Sequence, residues 1–316
     1  MKKVLSIVSL LLIASVLLLA SSASHSSPDP ATDSSKPAFT WQTVVSNVLA
    51  RPGTLQEGEV YVVGIPRTDL KVTVRGVALE PSFALISQEA FRSAGKGSEI
   101  LLKGDLLLLT EEVNPVMSHL MKGGFQITAL HNHLMGESPR LMDLHFEGKG
   151  ASGPLSAVLR DALALTGMPR YESAAELLGE NPPPLAVRTA FEQVEAILGR
   201  DGTVSRKVLQ ILVPRRDPIR SGNIEIPPAM GTCACLAFQS AGGSELAATG
   251  KLVVVQEELM PVLQILRMGD IEVAAIHNSM QGEQPPLKYV HFWGKGTPEE
   301  IATPLRAALD QIAVKR

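Results

Sequence analysis

The sequence predicts an α+β fold made of two tandem copies of a mixed unit with a mainly antiparallel sheet, packed as a pseudo-twofold pair. Three observations predict it. Residues 129–150 read ALHNHLMGESPRLMDLHFEGKG, and residues 275–296 read AIHNSMQGEQPPLKYVHFWGKG, the same pattern 146 positions on. From Gly104 and Gly250 onward, 47 positions align without a gap and 20 are identical, which marks an internal duplication. Within each copy the apolar pattern runs as an opening helix, several strands, a helix, two more strands and a closing helix. A chain of 316 residues with 45% hydrophobic content also suffices for two ordinary cores. Two related copies in one chain pack most simply as the subunits of an isologous dimer would.

Residues 1–23 have the layout of an export signal. Lys2 and Lys3 precede an apolar run over residues 4–20, broken only by Ser6, Ser9 and Ser15, and the small residues Ser21, Ser22 and Ala23 follow. Cleavage after Ala23 would leave no stable membrane span, and no Cys follows the run to carry a lipid. Residues 24–37, rich in Ser, Pro and Asp, read as a disordered tether. The first repeat then occupies residues 38–167. Trp41, Val44, Val45, Val48 and Leu49 recur at helical spacing until Pro52-Gly53. Strands are expected over residues 59–64, 71–79, 82–87 and 100–110. Thr110 is placed as the N-cap of a helix with Glu111 and Glu112 in its first turn, where the amide dipoles favour acids. Pro115 sits near that start and Gly123-Gly124 ends the helix. Strands over 125–133 and 141–146 and a helix over 154–165 complete the unit.

Residues 168–186, with Pro182-Pro183-Pro184, read as the linker. The second repeat, residues 187–316, opens with Val187, Ala190, Phe191, Val194, Ile197 and Leu198 at helical spacing. Arg215 and Asp217 match Arg67 and Asp69, a pair that suits a structural ion pair as well as an anion site.

The net charge is −3, or −5 once Lys2 and Lys3 are removed, with both signs interspersed. Aromatic residues are only 4% and no basic stripe is interleaved with them, which argues against nucleic acid as a partner. Cys233 and Cys235 are too few for a disulfide framework and read as small core residues.

Five of the seven histidines, His131, His133, His145, His277 and His291, fall inside the repeated motif. In an unbroken strand over 125–133, Phe125, Ile127, Ala129, His131 and His133 share one face, so both imidazoles extend an apolar row. Buried there, they need hydrogen-bond partners or a metal. Two histidines at i and i+2, with His145 as a third from the neighbouring strand, make the three-ligand set of an open zinc site. Glu137 is placed as a fourth ligand or general base, and Asp143 as the group orienting His145. One feature opposes this: His145 alternates with Asp143 and Glu147, opposite Met142, Leu144 and Phe146. The second copy keeps His277, Glu283 and His291 but has Ser279 in place of His133, so one tight site per chain is expected.

The stretches 66–72 (PRTDLKV), 110–116 (TEEVNPV) and 129–139 resemble the LppY/LpqO family, over essentially all of the chain after the tether. That resemblance implies an exported protein of uncharacterised activity. The His motif alone is similar, more weakly, to the three-histidine metal site of acetolactate decarboxylase and, in His131-x-His133-x3-Glu137, to half of the cupin motif. The expected function is an exported protein binding zinc or another divalent metal, a hydrolase or lyase for a small substrate. The competing expectation is a non-catalytic envelope binding module.

Overall fold

The computed structural model describes residues 41, 45–94, 98–170, 183–205, 207–278, 280 and 282–315. The expected export signal, the tether, most of the linker and Ser279 lie outside the described residues. Among those described, no helix is long and apolar enough to cross a membrane.

The long apolar runs of each repeat become the middle of a six-stranded sheet. In the first repeat β1 (Thr54–Gln56), β2 (Val60–Pro66), β5 (Ile86–Ser93), β6 (Glu99–Leu109), β7 (Gln126–Asn132) and β9 (Leu141–Ala151) lie in the order β1-β2-β5-β6-β9-β7. In the second, β10 (Thr203–Ser205), β11 (Val208–Pro214), β14 (Cys233–Gly242), β15 (Glu245–Val254), β16 (Glu272–His277) and β18 (Lys288–Gly296) follow the same order, β10-β11-β14-β15-β18-β16. Every pairing in both sheets is antiparallel. Each repeat adds a small three-stranded sheet: β3 (Thr73–Val74), β4 (Val77–Ala78) and β8 (Glu137–Ser138) in the first, β12 (Arg220–Ser221), β13 (Ile224–Glu225) and β17 (Glu283–Gln284) in the second.

Two expected strands take other forms. Residues 71–79 fold back on themselves as the β3–β4 hairpin, because Arg75 and Gly76 adopt the left-handed conformation of a tight turn. Within 82–87, Pro81 at a first helical position starts a short helix, α2 (Pro81–Ala84), before the chain extends again. Of the expected opening helix, α1 (Asn47–Leu49) is described, with Val45 and Leu49 fully buried as the apolar spacing requires, and residues 42–44 lie outside the described residues. Met168, placed by sequence in the linker, is buried in the first core.

Each large sheet has a helix-covered outer face. In the first repeat α3 (Thr110–Lys122) and α4 (Ser152–Leu163) bury Val116, Leu120, Leu159 and Leu163 against Leu102, Leu106, Leu144 and Phe146. In the second, α5 (Leu185–Leu198), α6 (Gln256–Met268) and α7 (Pro298–Leu309) bury Phe191, Val262, Leu266 and Leu305 against Leu236, Leu252, Val290 and Phe292. Gly104 and Gly250 sit opposite Phe146 and Phe292 in the sheets. A Cβ at Gly104 would lie 2.4 Å from the Phe146 ring, and one at Gly250 1.9 Å from the Cys235 carbonyl, so neither strand tolerates a side chain there.

Arg67 is fully buried and settles the choice the sequence left open. Its guanidinium donates to Glu112 at 2.8 Å, to Asp69 at 2.9 Å and to the Leu107 carbonyl at 2.7 Å. Glu112 also accepts from the amides of Leu109 and Gly167. Leu109, not Thr110, is therefore the cap of α3. Arg215 repeats the network with Glu258, Asp217 and the Val253 carbonyl, so both arginines are structural.

The inner faces of the two sheets meet, and the repeats exchange arms. From the first repeat Val74, Leu79, Phe83 and Leu85 pack on Val208, Ala237, Ala247 and Trp293 of the second. From the second, Ile219, Ile226 and Met230 pack on Val60, Ala90 and Leu101 of the first. This reciprocity is the expected pseudo-twofold arrangement.

Candidate functional site

A slip in strand register places the histidines. In β7, Ile127 pairs with Phe146 but Ala129 pairs with His145, so one extra residue bulges out between them. A one-residue slip exchanges the faces of everything beyond it. Ile127 thus packs on the helix-covered core, while His131, opposite Asp143, joins His145 on the inner face. The expectation that the imidazoles extend the apolar row of Phe125 and Ile127 is corrected by this bulge. The same slip between Val273 and Ala275 brings His277 to the side of His291.

Edge strands β7 and β16 approach each other at the pseudo-twofold, where Asn132 Nδ2 donates to the Ala274 carbonyl at 3.1 Å. The histidines of both copies converge there. His131 Nε2 lies 3.0 Å from His145 Nε2, and His277 Nε2 lies 3.0 Å from His291 Nε2. Between copies, the His131 and His277 rings stack with centroids 4.2 Å apart, and those of His145 and His277 4.6 Å apart. Ligand atoms of His131, His277 and His291 all lie within 4.8 Å of one another, close enough to hold a metal ion.

The backbone sets the tautomers of two of these rings. His131 Nδ1 donates to the Asn132 carbonyl at 2.8 Å and His277 Nδ1 to the Asn278 carbonyl at 2.7 Å. A carbonyl only accepts, so in the neutral ring Nε2 presents its lone pair to the cluster. Burial first, and then neighbouring imidazoles, push His145 and His291 well below the ordinary histidine pKa and His277 down to about 3. Neutral imidazole is the form that ligates metals. Two nitrogens bound ~2.0–2.1 Å from a tetrahedral zinc stand roughly 3.3 Å apart, near the 3.0 Å spacing found within each pair.

His133 is not in this cluster. Its Nδ1 donates to Asp143 at 2.8 Å. Burial lowers its pKa, but the Asp143 carboxylate, with Glu137 and the Ala84 carbonyl, raises it above the ordinary value overall. Burial likewise disfavours charge on Asp143, yet His133 holds that carboxyl far below its usual range. The structure therefore brings together His131 and His145 of the sequence-expected set, turns His133 to Asp143, and supplies His277 and His291 from the other copy. Glu137 Oε1 accepts from the Leu141 amide at 3.0 Å, as Glu283 Oε1 does from Leu287 at 3.1 Å, so in both copies this acid ties the loop that follows the histidine.

A cavity of about 400 Å³ opens between the sheets, with His133, Asp143, His145 and His291 on its wall. Phe83, Leu134, Ile86 and Leu212 make much of the rest apolar. Cys233 and Cys235 also line it; both are free thiols with pKa values raised by burial, that of Cys235 to about 11. The sequence reading passed over Lys103, Asp105 and Lys251, which reach the inner face beside His145 and His291. Their signal was present: charges two residues apart within the apolar run 100–110, flanking the repeated Gly104.

The family described as Domain of Unknown Function (DUF1259) matches residues 43–165 and again residues 192–311. The chain belongs to that family, which it contains twice. No curated protein matches the chain. Among solved structures, it is similar to the fused permuted hexameric shell protein MSM0275 from the RMM microcompartment at 11% identity, over 70% of this chain and 84% of that one. The TM-score of that pair, 0.17, is too low to bear on fold or function.

Proposed function

We propose that this DUF1259 member is an exported, divalent-metal-dependent enzyme whose single metal site is shared between the two copies. His131, His277 and His291 are the ligands, with His145 in reach as a further donor. The observation that carries this reading is the convergence of these nitrogens within 4.8 Å, two of the rings having Nδ1 committed to a backbone carbonyl. A zinc-like ion held there would supply Lewis acidity to a small substrate, in hydrolysis or a lyase reaction.

The chain's own residues supply the rest. His133, whose pKa Asp143 raises, stands on the cavity wall and is the group we assign to give a proton to a leaving or developing oxygen. Phe83 and Leu134, both buried, exclude water from the apolar part of the cavity. Lys2, Lys3 and the apolar run behind them, together with the LppY/LpqO resemblance, support export to the cell envelope. Titration of metal-free protein with Co²⁺ tests the site: saturation at one equivalent, with visible bands of a nitrogen-ligated ion, is expected. No binding in the micromolar range would reject it.

A further inference from the structure

Beside the histidine cluster, strands β6 and β15 bring two lysines to one point. A Cβ at Gly231 would stand 3.5 Å from Lys251 Nζ and 3.6 Å from Lys103 Nζ. Both ammonium groups also lie over the Tyr289 ring, 5.3 Å and 5.7 Å from its centroid. Lys103 is only 7% exposed, and its Nζ has no hydrogen-bond partner among the described residues. A buried cation left without an acceptor is costly, and costlier with a second cation beside it. Its pKa is accordingly lowered to about 8, by burial first and then by Lys251.

Glu283, Asp105 and Glu147 offset part of this charge from a distance, but none of them bonds to Lys103 Nζ. Asp105 accepts from the Gln88 amide and Glu283 from the Leu287 amide. Glu147 stands opposite Lys103 in the sheet. No ion pair joins any described acid to Lys103 or Lys251. The space between the lysines is a niche of about 20 Å³, lined also by Asp105, His145 and Gly231. It shares Gln88, Asp105, His145, Gly231 and Lys251 with the large cavity, so the two are continuous.

We propose that the Lys103–Lys251 niche binds the carboxylate of a small organic acid whose apolar body fills the adjoining cavity. This rests on reading the cavity as the substrate site but not on the presence of the metal. The niche has room for about one water-sized centre, which suits an oxygen of a planar carboxylate better than a tetrahedral phosphate. The cavity beyond it has the apolar wall that an alkyl or aryl body requires. The acid is thereby anchored with its neighbouring carbons next to His145 and His133.

Calorimetry with octanoate, octanol and inorganic phosphate on the full chain tests the proposal. Octanoate should bind at least about tenfold more tightly than octanol, the worth of one charge-assisted contact. Lys251→Met, at a half-buried position that does not endanger folding, should erase that preference while leaving octanol binding unchanged; Lys103→Met should do the same, and Lys103→Arg should restore part of it. The double variant His131→Ala/His277→Ala should lose metal yet bind octanoate within about threefold of wild type, the scatter expected of a contact left intact. Equal binding of octanoate and octanol to the wild type, or full octanoate binding by Lys251→Met, overturns the proposal. Loss of octanoate binding in the histidine variant alone would assign the carboxylate to the metal centre, overturning the niche and leaving the metal reading in place. Displacement of octanoate by millimolar phosphate would overturn the choice of a carboxylate.

Discussion

Glu89 is fully buried on the helix-covered face of the first sheet, and neither carboxylate oxygen has a hydrogen-bond partner among the described residues. Burial, and next Asp105, raise its pKa well above the ordinary value. A carboxyl whose folded pKa is raised takes up a proton on folding, so it costs stability as pH rises above its unfolded value of ~4.3. At the matching place opposite the second copy's glycine stands Leu236. Glu89→Leu should therefore stabilise the protein by about 1–3 kcal/mol at pH 7, and the gain should shrink as pH falls towards 4. Urea unfolding at both pH values checks it; a loss at pH 7 would show a partner that the burial argument lacks. Nothing in the local pattern marked this residue, because the expected strand over 82–87 stops short of it and only the register with Gly104 shows the chain running on through the core.

At the scale of elements, hydrophobic period located the main strands, the central helices and their glycine stops, since these depend on local pattern. It missed α2 and the β3–β4 hairpin, which are arms whose apolar residues are buried by the other copy. It also missed the bulge before Ala129, because strict alternation carries no mark of an extra residue, and with it the face on which His131 lies. The paired motifs around Arg67 and Arg215 were visible, but only the structure shows each arginine joining a strand end to a helix start. Removing one partner leaves a buried charge unpaired. Arg67→Met should lower stability by about 3–5 kcal/mol by leaving Glu112 uncompensated, whereas Arg75→Met, at an exposed ion pair with Glu272, should change it by less than about 1 kcal/mol. Comparable losses for the two would contradict the structural role of the buried network.

At the scale of the whole molecule the duplication was plain in the sequence, and the pairing of the copies followed from it. The shared site did not follow, because the three histidines of the first motif suggested a site closed within that copy, and Ser279 made the second copy read as a lost one. The two inner clusters join the copies through Phe83 against Trp293 and through Met230 against Leu101. One cooperative unit is expected: Trp293 fluorescence and far-ultraviolet dichroism should report coincident unfolding, and Phe83→Ala should shift both together by about 3–5 kcal/mol. Separate transitions would mean that the copies fold independently. Metal content per chain in three purified variants locates the metal most directly. One equivalent in the wild type and in His133→Ala, with less than about a tenth in both His131→Ala and His277→Ala, is the result predicted by a site shared across the copies. Full metal in His277→Ala, with loss in His133→Ala, would contradict it and return the site to the first copy alone.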